Sequence, residues 1–314
     1  MSAASEPSLS VVVVAHDDYG SIARPIRHLA AQTVRDRIEL IIVASTTDAV
    51  EDGIGHARKA GFQDVRVVEH GRIVERGLAA ASGVRASRAP IVGFVENHSF
   101  PAPRWAEALL RAHAGPWAIV GPAVENANPV TRTSRVNFAV TYGPWTGRRA
   151  SGEVELLPFH NSAYKRAWLE VFGDRLGALL DDEHRLQGEV RARGGRLYLE
   201  SAAVIAHTNE TRLGTSLRLL FGQGTAFGVG RSAGWSGLRR AGYVLGAPVI
   251  PLVNLPRVLR DAAHTLQGAA IAAALPSIVL HVAAQGAGEA LGYLTGRPRD
   301  EDFLAAHEFS HRRE

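Results

Sequence analysis

The chain has 314 residues, 46% of them hydrophobic and 21% charged, which is ample for one large domain or a domain with an appendage. The net charge is +4 and almost all of the positive charge is arginine, Lys59 and Lys165 being the only lysines; this excess is too small for a nucleic-acid binder and suits anionic small ligands or an anionic membrane surface. Cysteine is absent, which excludes disulfides, thiol catalysis and cysteine-based zinc sites.

The first residues, Met1–Ser8, are polar and lack a basic and then apolar leader, so no signal peptide is expected and the cytoplasm is the expected compartment. Leu9–Ala15 is a short β-branched run, the composition of a strand covered on both faces of a parallel sheet. The acidic loop His16-Asp17-Asp18-Tyr19-Gly20 follows. Ser21 is the expected cap of a helix with Ile22, Ile26 and Leu29 on one face, and Pro25 places the start of that helix near itself. Glu39–Val43 reads as a second strand, with the polar loop Ser45–Asp48 and a helix over about Val50–Ala60 behind it. Val65–Val68 is a third strand, Gly77–Ala86 a helix of small residues and Ile91–Val95 a fourth strand. Alternation at this spacing predicts a right-handed α/β unit with a parallel sheet. No G-x-G-x-x-G follows the first strand and no G-x-x-x-x-G-K-[ST] occurs, which weighs against dinucleotide-binding and P-loop enzymes.

The stretch Ile91–Trp105 is the most informative. An apolar strand ends in Glu96-Asn97-His98, Pro101 and Pro103 forbid regular structure, and Trp105 opens an amphipathic segment with Leu109. A carboxylate and an imidazole thus stand at the carboxyl end of a central strand, where open α/β sheets place their ligands. By the same rule His16–Tyr19 faces a ligand, and Asp17 or Asp18 can accept from a ribose or base, although such residues also favour turns. Ala118–Val124 is expected to be a strand and Asn126–Ser151 loop-rich. Phe159–Arg166 leads into one helix and Leu179–Glu183 into another, which Gly194-Gly195 ends; Arg196–Glu200 and Ala203–Ala206 are two strands ending at His207.

In order, these pieces resemble the inverting family 2 glycosyltransferases of the GT-A fold over residues 8–232. Their opening S-V-V-I-P-x-x-N is similar to Ser10–Asp17, and their E-L-I-V-V-D to Glu39–Ala44. Their metal motif F-L-D-x-D-x-x-P-x-P-x-W is similar to Phe94–Trp105. Their E-D-x-x-L is similar to Asp182–Leu186, followed here by Gly194; an Asn-containing segment before a basic residue corresponds to Asn161–Arg166, and a strand ending in histidine to His207. The departures are Ala44 for the aspartate that reads uracil, Glu96 and His98 for the D-x-D pair, and Glu183 for the catalytic aspartate. The resemblance implies an α/β GT-A domain with a nucleotide-sugar-binding parallel or mixed sheet flanked by helices, residues 8–232, followed by a helical, hydrophobic C-terminal region, residues 233–314.

It further implies transfer of a sugar from a nucleotide-sugar donor, a UDP-sugar, to a lipid-linked or glycan acceptor with inversion, a reaction of polysaccharide assembly. Glu96 and His98, with His207 near the diphosphate, are the expected site of a divalent metal, Mn²⁺ or Mg²⁺; the nitrogen ligand favours Mn²⁺. The alternative is direct neutralisation of phosphate by His98 and arginines such as Arg72, Arg76 or Arg231. Glu183, with Asp182 next, is the expected general base, the alternative being acidic residues that only stabilise a helix start. His16, Asp17 and Asp18, with Asp48 in place of the lost aspartate, are expected at the nucleotide. The glycines of Phe221–Gly228 imply a flexible flap carrying Arg231 to phosphate, or a linker.

Beyond Gly234, Trp235, Arg239, Arg240 and Tyr243 precede the apolar, proline-broken stretches Val244–Pro256 and Ala269–Ala284. Both fall short of, or are interrupted within, the ~20 residues that cross a bilayer, so the tail is expected to lie on the cytoplasmic face of the membrane, or to pack in a helical pair or homodimer. Two rival readings are a nucleotidylyltransferase, which would want a basic glycine-rich loop where His16–Gly20 is acidic, and a degenerate GT-A domain that binds a nucleotide or glycan, or scaffolds a complex, without turnover.

Overall fold

The structure, a computed structural model, describes residues 6–147, 149–299 and 303–304. It divides into two units, one built from the chain up to Glu125 together with Gly147–His207, the other from Asn126–Thr146 and the chain from Thr208 onward. The second unit therefore takes in more than the tail beyond residue 232.

The first unit starts with strand, helix, strand, helix: β1 (Leu9–Ala15), α1 (Tyr19–Ala30), β2 (Ile38–Ala44), α2 (Glu51–Lys59), β3 (Asp64–Glu69), α3 (Arg76–Ala86) and β4 (Ile91–Phe94). These four strands are mutually parallel in the order β3-β2-β1-β4. Every residue of β2 is buried, as its apolar sequence, interrupted only by Glu39, requires for a central parallel strand. Glu39, the one charge inside β2, is neutralised locally: Ser10 Oγ donates to it at 2.6 Å and Arg88 Nε at 2.6 Å. Helix α1 starts six residues before Pro25 rather than at it. Asp18, not Ser21, caps it by accepting from Ser21 N–H at 3.1 Å, and burial of Ile22, Ile26 and Leu29 outweighs the hydrogen bond that proline removes.

The sheet then turns mixed. β5 (Ser99–Pro101), α4 (Trp105–His113) and β6 (Ile119–Asn126) follow, and after the excursion into the second unit come β7 (Gly152–Val154), β8 (Ala163–Lys165), α6 (Arg166–Glu170), α7 (Leu176–Asp181), α8 (Glu183–Ala192) and β9 (Leu197–His207). β8 pairs antiparallel with β4, extending the order to β8-β6-β9-β5. The two strands expected over 196–206 are one. β7 pairs with its first half and β5 with its second, so no break is needed at Ser201-Ala202.

In the second unit, Asn126–Ser151 contains a helix, α5 (Arg132–Tyr142), where a loop was expected. Thr131 caps it, accepting from Ser134 N–H at 3.1 Å, and Val136 and Ala139 pack with Ala262, Ile278 and Val282. The partners that make this segment helical lie far away in sequence. The glycine-rich stretch expected to be a loop is the interior of α9 (Leu213–Arg231). It is followed by α10 (Gly237–Gly246), α11 (Ile250–Ala262) and α12 (Ala269–Thr295), so the prolines do not break the tail into short pieces. By length and composition, Gly237–Ala262 and Ala269–Thr295 are both able to cross a membrane.

The glycines of α9 and α12 form a close crossing. A Cβ on Gly224 would stand 2.3 Å from Gln285 O, on Gly228 2.4 Å from Glu289 O, on Gly288 2.1 Å from Phe221 O and on Gly292 2.4 Å from Thr225 O. Two small-xxx-small pairs thus let two backbones touch, the sequence device that also packs helices in lipid. Gly288→Leu is expected to destabilise by at least about 1–3 kcal/mol, the usual effect of overpacking. Gly214→Ala, in the same helix α9 with nothing within 4 Å of its Cβ, is the control and is expected to be neutral or slightly stabilising. Urea unfolding of the two variants reads the difference.

Candidate active site

Parallel register decides where the site lies. Ala15 pairs with Ala44 and Val12 with Phe94, so the segments leaving β1, β2 and β4 emerge at one edge of the sheet. That edge carries His16–Asp18, Ser45–Asp48 and Glu96–His98. The antiparallel pairing of Ser99 with His207 then brings the end of β9 beside the same edge.

Glu96, His98 and His207 are buried there, with one potential ligand atom of each within 4.8 Å of the others. His207 Nε2 is 3.6 Å and His98 Nε2 3.9 Å from Glu96 Oε2, and the two rings meet edge to face at 4.5 Å. His98 Nδ1 contacts Asn97 Oδ1 at 2.9 Å. An amide oxygen only accepts, so Nδ1 carries the proton and Nε2 keeps its lone pair toward Glu96, the arrangement that orients a metal-binding imidazole. Asn161 Nδ2 donates to Glu96 Oε2 at 2.6 Å and Ser99 Oγ donates to it at 3.2 Å, holding the carboxylate in place. One oxygen and two imidazole nitrogens facing each other fit a divalent transition ion such as Mn²⁺ better than Mg²⁺, whose preferred ligands are all oxygen.

A second cluster adjoins the first through consecutive residues, Asn161 touching Glu96 and His160 touching Glu183. Glu183 is the first residue of α8 and its side chain is fully buried. Its Oε1 accepts from His160 N–H at 2.9 Å and lies 2.8 Å from His160 Nδ1, and its Oε2 accepts from Tyr164 Oη at 2.9 Å. Arg76 Nη2 lies 3.6 Å from Oε1 and donates to Leu180 O at 2.7 Å. Burial alone would raise the Glu183 carboxyl, but the charges and hydrogen bonds of His160, Arg76 and Tyr164 hold it below the usual carboxylate value. Burial and Arg76 push His160 down, yet Glu183 carries the net shift upward, and burial beside Glu183 raises the Tyr164 hydroxyl well above its ordinary value. His160 is the sole non-glycine residue with positive φ (64°) among the described residues. Such strain costs of the order of 1 kcal/mol and gathers at functional sites.

The other expected residues have these places. His16 lies at the end of β1, with Nδ1 2.9 Å from Asp17 Oδ1 and Nε2 3.1 Å from Ile73 O. Asp17 and Asp48 are exposed at the same edge, and Asp18 is the cap of α1. Asp182 is exposed and caps α8, accepting from Arg185 N–H at 3.2 Å. Arg231 ends α9 in the second unit, donating to Glu289 Oε1 at 3.1 Å and Tyr293 Oη at 3.0 Å. Sequence reading did not single out His160 or Tyr164, and assigned Arg76 to phosphate rather than to Glu183. The only available signal was the Asn161–Arg166 segment, which marked the neighbourhood without its chemistry.

The profile of "Glycosyl transferase family 2" matches residues 10–173. A solved structure of GalNAc-T7 with UDP, GalNAc and Mn²⁺ superposes with a TM-score of 0.50 at 13% identity, over 65% of this chain and 43% of that one. The chain thus spans less than half the length of that neighbour, and at this identity the likeness establishes the fold, a GT-A arrangement. No curated protein matches the chain.

Proposed function

The chain belongs to glycosyl transferase family 2, and on that premise we propose that it transfers a sugar, with inversion, from a nucleotide-sugar donor to a hydroxyl of a lipid-linked or glycan acceptor. The observation that carries this reading is the adjacency of two unlike side-chain clusters, joined through His160-Asn161: Glu96–His98–His207, suited to a cation, and a buried carboxylate, Glu183, tied to an imidazole. A donor diphosphate needs the first and an acceptor hydroxyl the second. Mn²⁺ held by Glu96, His98 and His207 would neutralise the diphosphate as the glycosidic bond breaks. Asn161 and Ser99 keep Glu96 aimed, and Asn97 keeps His98 in the ligating tautomer. The base function rests on Glu183, and Asp182 fixes the start of its helix. UDP is the proposed nucleotide, in keeping with the UDP bound by the solved neighbour; His16, Asp17, Asp18 and Asp48 line the edge where its uridine would lie.

The test is thermal unfolding against UDP-, GDP- and dTDP-sugars with and without Mn²⁺. A ligand at 100 times its dissociation constant stabilises by roughly 2.7 kcal/mol. A Mn²⁺-dependent shift with UDP-sugars is the expected outcome; a metal-independent shift retires the metal, and none with any nucleotide retires the donor site. A shift without UDP release under any acceptor would favour the second reading, a binding domain without turnover, to which Ala44 in place of an aspartate points.

We also propose that the second unit rests on the cytoplasmic face of a membrane. Within Gly237–Ala262 only Ala247 and Ala262 are buried, while Leu238, Leu245, Leu252 and Val253 are exposed by 66–86%. Trp235 and Tyr243 pack together over the buried Tyr293, with Arg239 over the Trp235 ring at 4.1 Å; Trp235, Tyr243 and Arg239 make an aromatic and basic rim of the kind that sits at lipid headgroups. The chain is expected to float with phosphatidylcholine vesicles containing phosphatidylglycerol, and Leu245→Glu/Leu252→Glu to abolish this. A dimer that ignores vesicles would show instead that a second copy covers the face.

A further inference from the structure

Glu183 poses a geometric difficulty for direct proton abstraction. Its side chain has no exposure, Oε1 is taken by two groups of His160 and Oε2 by Tyr164. A base must reach the hydroxyl it deprotonates within hydrogen-bonding distance. Its partner His160 does keep contact with solvent: the ring is 23% exposed and is bound to the carboxylate through Nδ1. We propose that His160 is the catalytic base, accepting the acceptor's proton at Nε2, with Glu183 as the carboxylate that orients and charges it. This rests on the transferase reading and changes which atom touches substrate.

The tautomer follows from the partners. An ionised carboxylate has no proton to give, so the 2.8 Å contact requires the proton on Nδ1. Arg76 Nη2 abuts the same nitrogen and, as a donor only, competes with Glu183 for it; Arg76 has acceptors of its own in Leu180 O and Glu183 Oε1, so the assignment gives Nδ1–H to Glu183 and the guanidinium protons to those oxygens. With Nδ1 protonated, the ring's remaining lone pair is on Nε2. The backbone repeats the arrangement: the His160 N–H donates to the same Oε1, which ties ring and main chain to one carboxylate and gives the strained φ of 64° a use. A buried carboxylate on Nδ1 that holds the imidazole in one tautomer and stabilises its cation is the logic of hydrolase triads, here on another fold.

The acceptor oxygen bonds to the anomeric carbon, the bond from that carbon to the diphosphate oxygen breaks with its electron pair on the leaving phosphate, and the hydroxyl proton moves to Nε2. The resulting imidazolium faces Glu183, with Glu96 and Asp181 as further carboxylates, Arg76 as an opposing cation and Tyr164 as a further titratable neighbour among the described residues. The proton then leaves to water.

The two bases differ in pH behaviour. The Glu183 carboxyl is held below its ordinary value and the His160 ring above its own. Direct abstraction by Glu183 would put the acidic fall of kcat below about pH 4.5, whereas abstraction by His160 puts it above about 6.5. The experiment measures UDP release from UDP-GalNAc and UDP-glucose with Mn²⁺ raised to saturation at every pH, so that loss of metal does not shape the profile, water serving as acceptor, in full-length protein, for wild type, Glu183→Gln, His160→Asn and the double variant. Asn tolerates the left-handed backbone, so His160→Asn keeps the fold. An acid limb above 6.5, a loss of ~10²-fold or more in His160→Asn, and a double variant no slower than the worse single one are expected. A limb near 4, or His160→Asn within threefold of wild type, overturns the proposal. If the wild type releases no UDP, the transferase reading fails separately, and ¹⁵N-histidine NMR still decides the dyad. A neutral His160 protonated on Nδ1, whose titration moves down in Glu183→Gln, upholds it; a proton on Nε2, or no effect of Glu183→Gln, sinks it.

Discussion

Glu183→Gln is expected to lower kcat for sugar transfer by about 10²–10⁴-fold, the range of general-base catalysis, which His160 loses with its carboxylate, while leaving UDP and Mn²⁺ binding intact. The size follows from what an amide cannot do. It would carry no charge to favour an imidazolium, and its NH₂ would face either Tyr164 Oη or the His160 donors, which now point at the two carboxylate oxygens. A buried donor turned on a donor costs about 1–3 kcal/mol, so some stability is lost as well. Thermal unfolding in parallel separates the two effects. A fully folded Glu183→Gln protein with wild-type kcat would remove this carboxylate from the reaction.

The second large effect is expected at the cation cluster. His207→Ala should eliminate Mn²⁺-dependent stabilisation, roughly 2.7 kcal/mol at 100 times the dissociation constant, because among the described residues three protein ligands converge there. Glu96→Gln should do the same and also loosen Asn161, whose Nδ2 donates to Glu96 Oε2. Binding of Mn²⁺ should weaken as pH falls through the imidazole range, since a protonated ring cannot ligate. Calorimetric titration of Mn²⁺ into wild type and the two variants checks all three; unchanged affinity in His207→Ala would place the ion elsewhere.

How much of this was legible in the chain depended on whether the information was local. β1, β2 and β4 announce themselves as apolar runs, and the parallel sheet follows from their spacing, so Glu96 and His98 could be put at a strand end. His207 met them because a strand ending in histidine matched a known pattern; its pairing with Ser99 is a long-range fact. The dyad was not legible. His160 looks like any polar residue between Phe159 and Asn161, and only the folded chain sets it against Glu183. The same reason explains α5 and α9. Glycine reads as flexibility until the opposite helix is known, and at Gly224 and Gly288 the absent side chain is what admits a neighbouring backbone.

The left-handed backbone at His160 bears on how such a site can diverge. Few residues other than glycine, asparagine and aspartate enter that conformation cheaply. Drift at this position is therefore channelled: glycine deletes the ring, asparagine leaves a neutral amide, and aspartate sets a second negative charge against Glu183. No replacement offers a slightly weaker imidazole, so the chemistry here changes by jumps rather than by degrees. A relative with glycine at this point must hand the acceptor's proton to a different group, and one residue then sorts the lineage into two mechanistic branches.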